Sequence, residues 1–157
     1  GRLLVHLLDQ ASKQLERGDV RSTVNLLEKF SAKLDRAVVR GDVPATNSYA
    51  ADVKKIVDLI QARWGYAQEQ AAAYVAAWDN QIAAGAVTSP VAHELSHILQ
   101  VAIRQLAKGH PKSAMKHFDR FDDRLAVHTA GGKVFNSVSD ALKVRHDTAM
   151  AAIRNMK

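Results

Sequence analysis

The chain predicts an all-α fold, a tandem-repeat bundle of about seven helices arranged as antiparallel helix hairpins. Three observations carry this. Residues Leu4 to Leu34 align without a gap on Leu95 to Leu125 at an offset of 91, with ten identities in 31 positions: Leu4/Leu95, His6/His97, Leu8/Leu99, Ala11/Ala102, Gln14/Gln105, Leu15/Leu106, Gly18/Gly109, Ser22/Ser113, Phe30/Phe121 and Leu34/Leu125. Such self-similarity at a fixed period marks a repeated structural unit. Apolar residues recur at three- and four-residue spacing along almost the whole chain, and helix-ending glycines fall at matching points of the two copies.

The elements follow in order. Leu4, Leu8, Ala11 and Leu15 form one helical stripe, as do Leu95, Leu99, Ala102 and Leu106, and each stripe is expected to be a buried seam. Gly18 and Gly109 end these helices, because a residue without Cβ enters the left-handed conformation cheaply. Asp19 is placed to cap the next helix, and Pro111 suits a first turn, where its missing N–H has no intrahelical partner. The return helices carry Leu27, Phe30 and Leu34 in one copy and Phe118, Phe121 and Leu125 in the other. Both copies then loosen, at Gly41-Asp42-Val43-Pro44 and at Gly131-Gly132. They resume with cap-forming residues, Thr46 or Asn47 and Ser137 or Ser139. The third helices are expected to present Val53, Ile56, Val57, Ile60 and Trp64, and Leu142, Ala149, Ile153 and Met156. Between the copies, 68–84 is alanine-rich and helix-prone, with Gly65 a candidate break before it. Ser89 and Pro90 read as N-cap and first helical residue after the Gly85 break.

A length of 157 residues with 47% hydrophobic content fills one domain or two small units sharing a core, divided at 1–66 and 67–157 and expected to pack as one domain. No apolar run approaches the roughly 20 residues a membrane-spanning helix requires. The chain opens at Gly1 in mid-pattern, as an excised domain or mature fragment would. Cysteine is absent, which excludes disulfides and thiolate metal sites. A net charge of +6 favours polyanionic neighbours such as acidic glycan or another anionic surface polymer. The charges are dispersed, with acids and bases interleaved in Lys29 to Arg40, as on an ordinary solvated helix face.

His93-Glu94-Leu95-Ser96-His97 has the HExxH form, in which two histidines one turn apart bind zinc and the glutamate activates its water. A catalytic zinc of this kind needs a third ligand. No Glu follows His97, and no spacing singles out His110, His117, His128 or His146. At 100° per residue, positions 93 and 97 project almost opposite the Leu95–Leu99–Ala102 face, so both imidazoles are expected in solvent. The pair His93 and His97 is therefore read as surface residues, with a zinc hydrolase using Glu94 as the rival function.

Arg-Gly-Asp stands at Arg17-Gly18-Asp19 and at Arg40-Gly41-Asp42. Helix capping accounts for both: a basic last turn, a glycine stop and an aspartate start. The second copy replaces the first triplet by Lys108-Gly109-His110, keeping the cap and losing the motif. Trp64, Tyr66, Tyr74 and Trp78 cluster within 64–78, and aromatic rings stack on sugar faces, with Arg63 beside them able to meet an acidic group. These five are the candidate ligand contacts, although the helical spacing of Tyr74 and Trp78 and the continuation of the Val53–Ile60 stripe into Trp64 place at least two of the aromatics in a core. No phosphate-cradling loop, calcium loop or helix-turn-helix with a polar recognition face is present. No cofactor is expected, and nucleic acid is not the expected partner.

The segment from Ala76 to Ile153, with Gly85-Ala86-Val87, Ser89-Pro90-Val91-Ala92, Leu95, Leu99, Ala102, Leu106, Gly109, Ala114, Phe118, Phe121 and Leu125, resembles the helical accessory domain called FIMAH. The first copy matches from Leu4 onward, as though its leading helix lay before Gly1 or was lost. The resemblance implies a noncatalytic module of a secreted bacterial protein, at or beyond the cell surface, attached to a larger enzyme that acts on polysaccharides or peptides. Together these readings predict a module that binds or targets carbohydrate or another surface polymer. A structural spacer or protein-protein module is the remaining alternative.

Overall fold

The computed structural model describes residues 1–44 and 48–156. Among them are six helices: α1 (Arg2–Arg17), α2 (Val20–Val39), α3 (Ser48–Ala83), α4 (Ser89–Ala107), α5 (Pro111–Ala130) and α6 (Asn136–Arg154). The fold is all-α. The only extended pairing among the described residues is an isolated antiparallel bridge between Val87 and Val134. Six helices stand where about seven are expected because α3 runs unbroken for 36 residues through Gly65. A glycine inside a helix costs only about 1 kcal/mol, which flanking packing overrides. Ile60 and Trp64 before Gly65, and Ala67 and Ala71 after it, all pack into the interior.

The duplication is visible in backbone hydrogen bonds, at the same offset of 91. In α1 the N–H groups of Gly18 and Asp19 donate to the carbonyls of Leu15 and Gln14, while after α4 those of Gly109 and His110 donate to Leu106 and Gln105. The ends of α2 and α5 repeat the pattern, with Asp42 donating to Ala37 and Lys133 to His128. Gly18, Gly109, Gly41 and Gly132 all have positive φ, which is why these stops are glycine. The structural repeat therefore extends beyond Leu34/Leu125 to Gly41/Gly132.

Two apolar clusters fill the molecule. One gathers Leu7, Ala11, Val24, Leu27, Phe30, Leu34, Val53 and Val57. The larger one takes the C-terminal half of α3 together with α4, α5, α6 and Val20. Ile60 packs against both. The third helix of the first copy and the leading helix of the second are thus one element.

The hairpin tips meet. The Val20 N–H donates to the Gly109 carbonyl at 3.0 Å, and Lys112 Nζ donates to the Glu16 carbonyl at 3.0 Å. A Cβ on Gly109 would lie 2.8 Å from the Arg21 backbone nitrogen, and a Cβ on Gly18 would lie 3.4 Å from the Pro111 ring. Shifted by 91, Arg21 corresponds to Lys112, whose side chain also borders Gly18, so the contact is reciprocal. Only one backbone bond forms across it, because Pro111 stands where Val20 stands in the other copy and has no N–H to give.

Several local expectations are corrected. Thr88, in extended conformation, is the N-cap of α4, which shifts Ser89 and Pro90 one position into the helix. The last helix starts at Asn136 behind Phe135, and Ser139 bonds the Thr129 hydroxyl instead of capping. Thr46 and Asn47 lie outside the described residues. Asp19 caps α2 as expected, accepting from the Ser22 N–H at 3.0 Å. Leu8 and Ile56, expected on buried stripes, are exposed.

Gly65 has open space around its Cβ position, so Gly65→Ala is expected to stabilise the fold by up to about 1 kcal/mol. Gly109→Ala combines a left-handed φ with a backbone clash and is expected to cost about 3 kcal/mol, more than Gly41→Ala, whose Cβ meets nothing. Urea midpoints of the three variants test this; equal losses at Gly41 and Gly109 would mean that the hairpin tips do not press together.

Candidate functional site

The five candidate contacts separate by depth. Tyr74 and Trp78 are completely buried. Tyr74 packs edge-on against Phe121 (centroids 5.6 Å apart) and His146 (5.6 Å), and Trp78 packs edge-on against Phe121 (5.1 Å). The Trp78 indole N–H donates to Ser96 Oγ at 2.9 Å, which satisfies its one polar atom. Neither ring offers a face to a ligand, which corrects their reading as contacts. Burial, followed by the carboxylates of Asp122 and Asp147, pushes the Tyr74 phenol well above its ordinary value. Trp64 is partly buried, and its indole N–H donates to the Leu106 carbonyl at 2.9 Å, clamping the middle of α3 to the end of α4.

Tyr66 and Arg63 remain at the surface. Tyr66 is 52% exposed. Both line an open groove of about 660 Å³ between the middle of α3 and the end of α6, with Ala62, Ala152, Arg154 and Asn155. The position of these residues follows from helix geometry: Arg63 and Tyr66 are three apart on one flank of α3, just beyond the inward-facing stripe of Ile60, Trp64 and Ala67. Small residues on both helices keep the floor low. Neither Arg63 nor Arg154 is in an ion pair among the described residues, so two guanidinium groups, a phenol and an amide are all available to a ligand. Sequence reasoning missed Arg154 and Asn155. They lie some 90 positions from Tyr66, and no local pattern reports that α6 crosses α3 there.

The HExxH segment has a different use. His93 and His97 are exposed on the outer face of α4. Glu94 turns toward α5, where one carboxylate oxygen accepts from Arg124 Nε at 2.7 Å and the other pairs with His128 Nε2 at 2.9 Å. The hydrogen bond from Arg124, then that from His128, holds the Glu94 carboxyl below its ordinary value. Both oxygens are committed to side chains. Among the described residues no group of three His, Cys, Asp or Glu gathers as a metal would require. The geometry gives Glu94 a helix-tying role, and it gives the His93/His97 pair no third ligand.

The Arg-Gly-Asp triplets behave as caps. Gly18 packs on Pro111 and Asp19 caps α2, while Arg40 and Asp42 pair with each other at 3.3 Å across Gly41.

Fold and surface together define an all-α module of helix hairpins. The FIMAH domain model matches residues 71–151, just over half the chain, and the chain belongs to this family of accessory helical domains. The matched region covers about the last third of α3, all of α4 and α5, and most of α6. Searches of curated proteins and of solved structures return no match. No helix of the described residues is long and apolar enough to cross a membrane.

Glu94 gives a pH signature. A carboxyl whose pKa is lowered by folding contributes stability above its unfolded value, near ~4.3, and that contribution is lost as pH falls through the folded value. Glu94→Gln is therefore expected to lower the urea midpoint at pH 7, with the deficit shrinking as pH falls through the acid range. A variant difference that persists undiminished in acid would assign the loss to packing.

Proposed function

We propose that the chain is a noncatalytic accessory module of a secreted bacterial protein, made of two helical units, 1–66 and 67–157, packed as one domain, and that it targets its parent to an acidic polysaccharide. The observation that carries this reading is the groove in which the exposed Tyr66 ring lies with Arg63, Arg154 and Asn155. A phenol ring covers the apolar face of a sugar, and a guanidinium grips a carboxylate or phosphate through two parallel hydrogen bonds. Amide side chains add the donors and acceptors that hydroxyl groups need. The net charge of +6 favours the same class of ligand at long range.

Family membership supports the coarser part of the reading, attachment to a larger protein as an accessory domain. Secretion and cell-surface action rest on the resemblance, and carbohydrate recognition rests on the groove. The zinc-hydrolase alternative rests on the HExxH spacing alone, and the Glu94 carboxylate it would use is held by Arg124 and His128.

A glycan array probed with the purified chain at low and moderate salt, with metal content determined on the same sample, tests the proposal. Selective binding to uronate-, sulfate- or phosphate-bearing glycans is expected. Tyr66→Ala should weaken it at least tenfold, and Arg63→Ala or Arg154→Ala should weaken it and flatten its salt dependence, with thermal stability unchanged. Trp78→Ala should lower stability by about 3–5 kcal/mol and reach binding only through unfolding. Absence of any selective glycan, or binding indifferent to Tyr66→Ala, would overturn the reading.

A further inference from the structure

The two hairpins share a polar face as well as a core. An open groove of about 510 Å³ runs along the outer side of the α1–α2 hairpin, bordered by His6, Lys13 and Arg17 on one helix and by Ser22, Asn25 and Lys29 on the other. Three of the ten identities between the copies are polar, His6/His97, Gln14/Gln105 and Ser22/Ser113, and all three lie on this groove. Its three Lys and Arg keep their charge while exchanging type: Lys13/Arg104, Arg17/Lys108 and Lys29/Arg120. Each of the nine lining positions is exposed or half-buried to match its counterpart. The other exposed flank of α1, with Asp9, Ser12 and Glu16, has Gln100, Ile103 and Ala107 as counterparts and keeps no identity and no charge.

In the second copy Arg104, Lys108, Lys116 and Arg120 are exposed with α3 in place, because α3 packs on the Leu95 and Leu99 side of α4. At the junction the end of α4 meets the start of α2, through the Gly109 carbonyl and the Val20 N–H, and the end of α1 meets the start of α5, through the Glu16 carbonyl and Lys112. This end-to-start match is a half-turn about an axis normal to the plane of the hairpins, and such a turn leaves both outer sides facing the same way. The groove and its counterpart therefore share one side of the molecule and approach each other at Arg17 and Lys108. At 1.5 Å per residue the joint face is about 40 Å long.

The nine positions and their counterparts hold seven of the chain's 22 Lys and Arg and none of its 16 Asp and Glu, so the positive excess of the whole chain resides on this face. None of the seven is in an ion pair among the described residues. Asp19, at the tip, is committed to the Ser22 N–H and hydroxyl. No Phe, Tyr or Trp stands at any of these positions, so the face lacks a ring platform for a base or a sugar. A site that grips a planar carboxylate through two parallel bonds requires Arg, whereas one in which Lys and Arg exchange asks for charge alone, which a tetrahedral phosphate accepts from either. The half-turn presents the same residues in opposite order along the two halves, so a linear ligand is read by the spacing of its charges and not by its direction. From this we infer that the outer face of the two hairpins binds a linear polymer of phosphodiester-linked polyols, laid across the tip junction. The face shares no residue with the Tyr66 groove and does not depend on that reading. It also gives the exposed His97 a place, as the counterpart of His6.

The probe is fluorescein-labelled poly(glycerol phosphate), in chains long enough to span both grooves and in chains confined to one, titrated with the protein and followed by anisotropy. Saturable binding is expected, roughly tenfold or more tighter for the spanning chains and weakened steeply by salt. Lys13→Glu combined with Arg104→Glu should weaken it by roughly tenfold or more. The exchange Lys13→Arg with Arg104→Lys should leave it unchanged, as should Tyr66→Ala. All three sites are exposed, so each variant should melt within a few degrees of the parent. An equal loss on Lys55→Glu with Lys143→Glu, on the exposed surfaces of α3 and α6, would show that net charge alone draws the polymer. Tighter binding of DNA of equal charge would make the occupant a nucleic acid, and no gain with length would mean that the grooves do not act together. Absence of saturable binding would leave the face without such a ligand. Each of these four results overturns the proposal.

Discussion

The last turn of α4 is the junction on which the arrangement depends. Its Leu106 carbonyl receives the Trp64 indole N–H from the middle of α3, and the Gly109 carbonyl just beyond receives the Val20 N–H from the start of α2. Three elements from both copies are joined there by backbone carbonyls, which no side-chain substitution can remove. The approach requires glycine, because any Cβ at position 109 would reach the Arg21 backbone. Buried hydrogen bonds of this kind contribute modestly in net terms and are costly to break, so their value lies in fixing one arrangement among several apolar ones.

Around that junction the hydrophobic effect divides the labour unevenly. The second copy closes its core with Tyr74, Trp78, Phe118 and Phe121, all fully buried, and edge-to-face contacts of Phe121 with Tyr74 and Trp78 add to the area removed from water. The first copy relies on leucine, valine and one phenylalanine and leaves part of α1 bare. The Glu94–Arg124–His128 set follows the same division. It ties α4 to α5 in the covered copy and has no counterpart in the other, where Leu3 and Ala37 take the places of the glutamate and the histidine.

The hairpins were legible in the sequence because their signals are local. Glycine stops at 18 and 109, the Asp19 cap and the Leu27–Phe30–Leu34 stripe depend on neighbours within a few residues. The continuity of α3 was not legible, because a glycine at 65 has one local meaning and the packing that overrides it comes from α4 and α6. The surface groove shows the same limit. Tyr66 and Arg63 announce themselves as an aromatic and a cation in one stretch, whereas Arg154 and Asn155 join them only through a helix crossing that periodicity cannot report. Tyr74 and Trp78 show why composition misleads: a ring suited to a sugar is equally suited to a core, and the spacing of four that Tyr74 shares with Trp78 belongs to the core.

The shared helix imposes a rule on how the chain can change length. At 1.5 Å per residue α3 is about 54 Å long, and one added residue would turn everything beyond it by about 100°. Such a turn would swing the tip at Gly109 away from Val20 and carry Arg154 out of reach of Tyr66. Insertions should therefore be excluded between positions 66 and 74, where α3 passes from one apolar cluster to the other. A further unit joined by another shared helix would inherit a fixed rotation from the last, so an array of such units would wind as a screw of constant pitch.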